Sequence, residues 1–175
     1  VGCSGSSVTL SMISYASPSY TYQWNDANGA ISGATSSTYA ASVSGTYSLT
    51  VTTPAGCSAT SSGLAVSIIT VSTPSGLFTS NIELDRATMN WSAVADANHY
   101  EIRFREQGSS WQILYPTGTS LIKYSLSSST TYDWQVRSAC SSDSSSVSAW
   151  SSTETFTTLT PCTAPLNPVT TGIAL

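Results

Sequence analysis

The sequence predicts an all-β chain folded as two antiparallel β-sandwiches in tandem. Apolar residues alternate in short runs, such as Tyr47, Leu49 and Val51, the period-two pattern of a strand with one buried face. These runs recur at the regular spacing of a sandwich, divided by Gly, Ser, Pro and Asn. A helical period persists nowhere in the chain.

The bulk numbers fit that reading. The 175 residues suffice for one large or two small domains. Charged residues make up only 8% and the net charge is -4, yet hydrophobic residues reach 40% and aromatic residues 10%. That apolar content is enough to build cores, and Ser and Thr, roughly a third of the chain, leave a neutral, hydroxyl-rich surface. The five basic residues are Arg86, Arg103, Arg105, Lys123 and Arg137. They form no clustered patch in the sequence, so nucleic acid is a poor partner. No apolar run approaches the roughly 20 residues that cross a bilayer as a helix, so direct membrane insertion is not expected. Val1 reads as the start of a fragment or of a processed product.

In the first half, Val8, Leu10 and Met12 share one face of a strand, and Tyr20, Tyr22 and Trp24 share a face of the next. "NDANG" after Trp24 is turn chemistry. "SSTYAA" is a further strand, followed by the run through Tyr47, Leu49 and Val51, and by Leu64, Val66 and Ile68. In order and interval, "GSSVTLSM", "YQW" and "SGTYSLTV" resemble strands B, C and F of an immunoglobulin-like domain. The resemblance implies a core of Trp24 with Tyr47 as a tyrosine-corner residue. The family's buried disulfide would join the positions held here by Met12 and Leu49, where Met fills the gap without a crosslink. The stretch from "CSGSSVTL" through "AGCSATSS" also resembles the immunoglobulin-like repeats of very large secreted surface proteins of Bacteroidota.

"STPSGL" marks a boundary, with Pro74 and Gly76 breaking any continuous strand. Beyond it Met89 and Trp91 share a face, as do Tyr100, Ile102 and Phe104, with Glu101, Arg103 and Arg105 expected to alternate outward. Tyr132, Trp134 and Val136 are placed inward. This segment resembles a fibronectin type III domain. Trp91 matches its strand B tryptophan, Tyr100 its strand C tyrosine, and Leu126 with Tyr132 its L-x-x-x-T-x-Y corner. "PCTAPLNPVTTGIAL" resembles the opening of another such module. The expected domains are therefore an immunoglobulin-like sandwich over 1–69 lacking its first strand, a fibronectin type III sandwich over 70–160, and a tail over 161–175. That tail is either the first strand of a further module or a strand donated to a neighbouring subunit.

Cys3, Cys57, Cys140 and Cys162 are the disulfide candidates, and four cysteines in so polar a chain point to an oxidising, extracellular setting. Two pairings stay open. The Bacteroidota pattern carries Cys3 and Cys57 together, although in an immunoglobulin-like sandwich they fall near opposite ends, about 20 Å or more apart. End-to-end stacking of the modules would instead pair Cys3 with Cys140.

Little in the sequence points to catalysis, a cofactor or a metal. His99, near Asp96, is the lone histidine, and no serine is marked as an activated nucleophile. Asp26 is the lone acidic residue of the first expected domain, while Asp85, Glu83 and Asp96 are the one conceivable calcium cluster. Glu101, Arg103 and Arg105 are expected to neighbour Asp133, Gln135 and Arg137 across a solvent-facing sheet. Tyr15 is the one candidate for stacking on a sugar. The expected function is therefore that of a non-catalytic structural or adhesive segment of an extracellular, bacterial cell-surface protein. Its expected partners are neighbouring modules or subunits, with surface glycans or other proteins as further candidates. The Bacteroidota resemblance implies a large adhesin or filament exported by the type IX secretion system. The rival readings are accessory modules of a secreted polysaccharide- or protein-degrading enzyme, and a carbohydrate-binding module.

Overall fold

A computed structural model of the chain describes residues 1–12, 17, 19–162. Every regular element among them is a β-strand. The chain divides into two compact units. Among the described residues, the first holds those of Val1–Thr73, Val94–Tyr100 and Arg137–Trp150, and the second holds Pro74–Ala93, Glu101–Val136 and 151–162.

In the N-terminal part, β1 (Gly2–Cys3), β2 (Val8–Ser11), β3 (Thr21–Asp26), β4 (Gly29–Ala30) and β5 (Thr38–Ala41) are followed by β6 (Gly45–Thr52). Then come β7 (Ser58–Thr60), β8 (Leu64–Val66) and β9 (Ile68–Ile69). β2 pairs with β5, while β4, β3, β6 and β7 form a second sheet in that order, with β8 also paired to β6. The "NDANG" turn folds as expected: Asp26 lies opposite Gly29, and Gly29 takes a φ of 112° that side chains resist. The sequence reading placed no strand before Val8. The structure has one, since β1 runs parallel to β9 with Gly2 beside Ile68.

A bulge decides which way β8 faces. Thr60 lies opposite Thr50 but Leu64 lies opposite Tyr47, so the β7–β8 side carries one residue more than β6 between those pairs. Ser61 fills the irregularity, donating its amide to the Leu49 carbonyl at 2.9 Å and receiving the Leu49 amide on its hydroxyl at 3.0 Å. One extra residue reverses the in-out alternation. Leu64 and Val66 thereby join the same face as Tyr47. The core beneath them is Leu10, Trp24, Ala34, Ala41, Tyr47, Leu49 and Val66. Leu10 is fully packed there, whereas Met12 is only partly buried at its margin.

The C-terminal part contains β10 (Phe78–Ser80), β11 (Ala87–Asn90), β12 (His99–Glu106), β13 (Gln112–Leu114), β14 (Ser120–Lys123), β15 (Thr131–Ala139) and β16 (Glu154–Thr157). They form a three-stranded sheet, β10-β11-β14, and a four-stranded one, β13-β12-β15-β16. Within the second unit Trp91 packs on Trp134 with ring centroids 6.3 Å apart, and Phe104 stacks on Tyr132 at 5.2 Å. The Trp134 indole donates to the Thr79 hydroxyl at 3.0 Å. Trp91, Tyr100 and Tyr132, like Trp24 and Tyr47, are buried.

The fully buried Trp134 supplies the first test. Trp134→Ala should cost about 3–5 kcal/mol and lower Tm by roughly 10 °C, read as thermal loss of near-ultraviolet circular dichroism.

Candidate functional site

The most built feature of the chain is a covalent clasp. Cys3 and Cys140 form a disulfide with Cα atoms 5.8 Å apart, across a sequence separation of 137, and both belong to the first compact unit. Of the two pairings left open by the sequence, the bond to Cys140 is the one formed. Cys57 and Cys162 carry exposed free thiols. Backbone hydrogen bonds hold each half of the clasp. The amides of Gly2 and Ser4 donate to the carbonyls of Ser67 and Ile69 at 2.8 and 2.7 Å, and the Cys140 amide donates to the Ser146 carbonyl at 2.9 Å. Hydroxyls fill the space around it. Ser4 and Ser146 share a hydrogen bond of 3.2 Å, the buried Ser138 donates to the Ser72 carbonyl at 2.6 Å, and Thr73 donates to that of Ala149 at 3.3 Å.

His99 meets a hydroxyl that the sequence did not single out. Its Nε2 lies 3.1 Å from Ser144 Oγ and its Nδ1 lies 3.2 Å from Asn98 Oδ1. A histidine so placed can accept a serine proton, but Asn98 is neutral and offers no charge to stabilise an imidazolium. The neighbouring amides are also engaged: Ser144 donates to the Ser141 carbonyl at 3.3 Å, Ser145 to Asp143 at 3.0 Å, and Ser146 to the Ser141 hydroxyl at 3.1 Å. They are not arranged as the paired donors of an oxyanion hole. The hydrogen bond from the Ser145 amide, with side-chain bonds from Ser145 and Ser141, holds the Asp143 carboxyl at a pKa of about 2. The contacts order the loop after β15.

Among the remaining carboxylates, Glu83 pairs with Arg86 at 2.7 Å. Among the described residues no three His, Cys, Asp or Glu side chains gather as a metal site. Tyr15 lies outside the described residues, as does the tail beyond Cys162.

The sheet face expected to be solvent-facing is covered. Glu101 is only 2% exposed, and Asp133 and Gln135 are buried as well. Arg105 donates through Nε and Nη2 to one oxygen of Asp133, at 3.1 and 3.0 Å, and the Thr155 hydroxyl donates to the other at 3.0 Å. Arg103 donates to Gln135. Trp111 lies over the two arginines, its ring 4.7 Å from the Arg103 guanidinium carbon and 4.2 Å from that of Arg105. Elsewhere, in the first unit, Arg137 lies 4.5 Å from the Trp150 ring. Cation–π stacking of this kind excludes water from the paired charges. Sequence reasoning passed over Trp111 and Trp150 because neither sits in an alternating run. A tryptophan close to regularly spaced arginines was the available signal.

An apolar slot of ≈ 370 Å³ opens in the first unit, floored by Trp24, Tyr47 and Leu49 and walled by Met12 and Leu64.

No protein-family model matches the sequence, and a search of the curated proteins found no match. Solved structures do match. Domains A168-A170 from titin superpose with a TM-score of 0.63 at 13% identity, covering 91% of this chain and 61% of that one. The chain has the immunoglobulin-like and fibronectin type III sandwich fold. The FN1-FN3 domains of chicken CNTN1 match at a TM-score of 0.49 and 14% identity, over 91% of this chain and 62% of theirs. An fn3 domain of human collagen alpha-1(XX) matches at 0.49 and 16%, over 57% of this chain and 95% of its own. The present chain thus spans about three fifths of the titin and CNTN1 segments.

Both sandwich types carry their corner tyrosine here. Tyr47 donates its phenol to the Val43 carbonyl at 2.8 Å, and burial pushes that phenol above its ordinary pKa. The Tyr132 phenol accepts the Ser127 amide at 2.9 Å, and Leu126 of the same corner is buried.

The clasp has a measurable weight. Closing so long a loop restricts the unfolded chain by roughly 5 kcal/mol in the chain-entropy treatment. Replacing Cys3 and Cys140 together by Ser should therefore lower Tm by about 10 °C or more, and dithiothreitol should reproduce the loss in the unmodified protein.

Proposed function

We propose that this chain is a non-catalytic structural and adhesive segment of a secreted, multi-module protein at a bacterial cell surface. The Cys3–Cys140 disulfide carries the reading. A bond of that separation, set among buried hydroxyls, persists in an oxidising compartment and is rare in a reducing one. The sandwich fold supports it, since tandem sandwiches space and present surfaces. So does the sparse charge, which avoids the strong fields that recruit unselected partners. In this reading residues 1–69 and 70–160 are successive modules, and their partners are neighbouring modules or copies of the same protein. The resemblance to Bacteroidota surface repeats supports a large adhesin or filament exported by the type IX secretion system to the outside of the cell.

Intact-cell biotinylation with a membrane-impermeant reagent, followed by non-reducing peptide mapping, tests this. The expected result is a labelled chain with Cys3 bonded to Cys140, and cells lacking the gene should attach less well to surfaces. A reduced chain recovered from the cytosol would sink the proposal. A fluorophosphonate probe should leave Ser144 unmodified. Labelling of Ser144 that disappears in His99→Ala would replace the adhesive reading with a hydrolytic one.

A further inference from the structure

The outer face of the sheet β10-β11-β14 carries a pocket whose chemistry differs from that of the core. On β11 the fully buried Ala87 and Met89 point into the sandwich, so Thr88 and Asn90 belong to the opposite face. Ile122 lies opposite Thr88 on β14, and Phe78 lies opposite Asn90 on β10, which puts both on that outer face. Within the second unit a pocket of ≈ 170 Å³ opens there, lined by Asn81, Glu83, Arg86, Thr88, Ile122 and Tyr124. Tyr124 and Phe78 are each 54% exposed.

The polar part of the pocket is fixed in advance. Arg86 Nη2 donates to Glu83 Oε1 at 2.7 Å and lies 2.7 Å from Oε2. Backbone bonds brace the turn that carries the pair. The Glu83 amide donates to the Arg86 carbonyl at 2.8 Å, the Leu126 amide to the Asp85 carbonyl at 2.9 Å, and the Leu159 amide to the Glu83 carbonyl at 3.0 Å. Asn81 holds a left-handed φ of 47°, which asparagine tolerates better than most residues, and donates its side-chain amide to the Thr88 hydroxyl at 3.5 Å. Among the described residues, Arg86 Nε and Nη1 remain as donors, and Asn81 Oδ1 as an acceptor, without a protein partner.

This arrangement selects a ligand. Glu83 and Arg86 neutralise one another, so the pocket draws neither an anion nor a cation by net charge. It sets donors and acceptors side by side against the apolar wall of Ile122 and the Tyr124 ring. A sugar ring in the pyranose form has the matching pattern. Its adjacent hydroxyls both donate and accept, and its C–H face suits the negative face of an aromatic ring. Such hydroxyls replace water at the exposed ion pair without stranding either charge, whereas an apolar side chain of a protein partner would strand both. Pockets for drug-sized molecules begin at about 300 Å³, so this one has room for a single ring. From Tyr124 to Phe78 the sheet geometry gives roughly 16 Å, the reach of a short oligosaccharide.

We propose that this pocket binds a neutral pyranose of a surface glycan, with the ring on Tyr124 and its hydroxyls on Arg86, Glu83 and Asn81, and that the sugar chain continues toward Phe78. The inference rests on the adhesive reading and names its ligand class.

The probes are the methyl glycosides of glucose, galactose, mannose and N-acetylglucosamine, with linear di- and trisaccharides of each, added to the full chain. Saturation-transfer NMR should show at least one of these sugars bound through the C–H protons of one ring face, and its trisaccharide should compete at several-fold lower concentration. Tyr124→Ala and Arg86→Ala should each weaken binding by about tenfold or more. Tyr124→Phe keeps the ring and should stay within about twofold of the unmodified protein. Tyr115→Ala removes a tyrosine that is 69% exposed outside the pocket, and should leave binding unchanged. Melting temperatures within a few degrees of one another would confirm that the variants fold.

Silence from every sugar would overturn the proposal, as would binding that survives Tyr124→Ala and Arg86→Ala combined. A preference for methyl glucuronide over methyl glucoside would overturn the neutral class. Resonances of Tyr124 and Ile122 that move with protein concentration but not with sugar would assign the pocket to a second copy of the chain. None of these results bears on the Cys3–Cys140 bond or on the cell-surface location. A reduced cytosolic chain that still bound sugar would sink the adhesive reading alone.

Discussion

The bond between Cys3 and Cys140 is the constraint on which the first unit depends. Its N-terminal strand, Gly2–Cys3, is two residues long, and a pair of that length holds nothing by itself. Covalent attachment gives those residues a fixed place, and the parallel pairing with Ile68–Ile69 follows from it. The same bond brings Val94–Tyr100 and Arg137–Trp150 into a unit otherwise built from the first 73 residues. With charged residues so few, the chain has little electrostatic means of joining remote segments. A crosslink spanning 137 positions does so by removing conformations from the unfolded ensemble.

Trp24 in the first unit and Trp134 in the second are both buried, and both give the indole proton an acceptor. Trp24 stacks with Tyr39 at 6.0 Å and donates its indole proton to the Ser36 carbonyl at 3.0 Å. Trp134 meets the same need through a threonine hydroxyl. A hydroxyl or carbonyl at the right distance is what permits so large a side chain to be buried at little polar cost.

Most of the fold was legible because alternation is a local property. Tyr47, Leu49 and Val51 announce their strand in one short stretch, and "NDANG" announces its hairpin. The corner tyrosines could be assigned because each bonds a backbone atom within five residues. Cysteine pairing was not legible in the same way, since it depends on where distant ends meet. Glu101 was misread for a related reason: alternation assigns a residue to a face but does not say what lies over that face. Farther along the same strand, Trp111, from outside the alternating runs, stacks over Arg103 and Arg105. Ser144 was unmarked because its approach to His99 bridges 45 positions.

The buried hydroxyls of Ser138, Ser146, Ser151 and Thr158 have an effect that reaches past packing. Much of this interior polar framework is made of alcohols bonded to carbonyls and to one another, and an alcohol neither gains nor loses a proton between strong acid and strong alkali. Dipole-to-dipole contacts of this sort are also nearly blind to ionic strength. A scaffold so constituted keeps its internal wiring as the water around it turns from fresh to brackish or drifts in acidity, conditions in which a framework of exposed ion pairs would loosen.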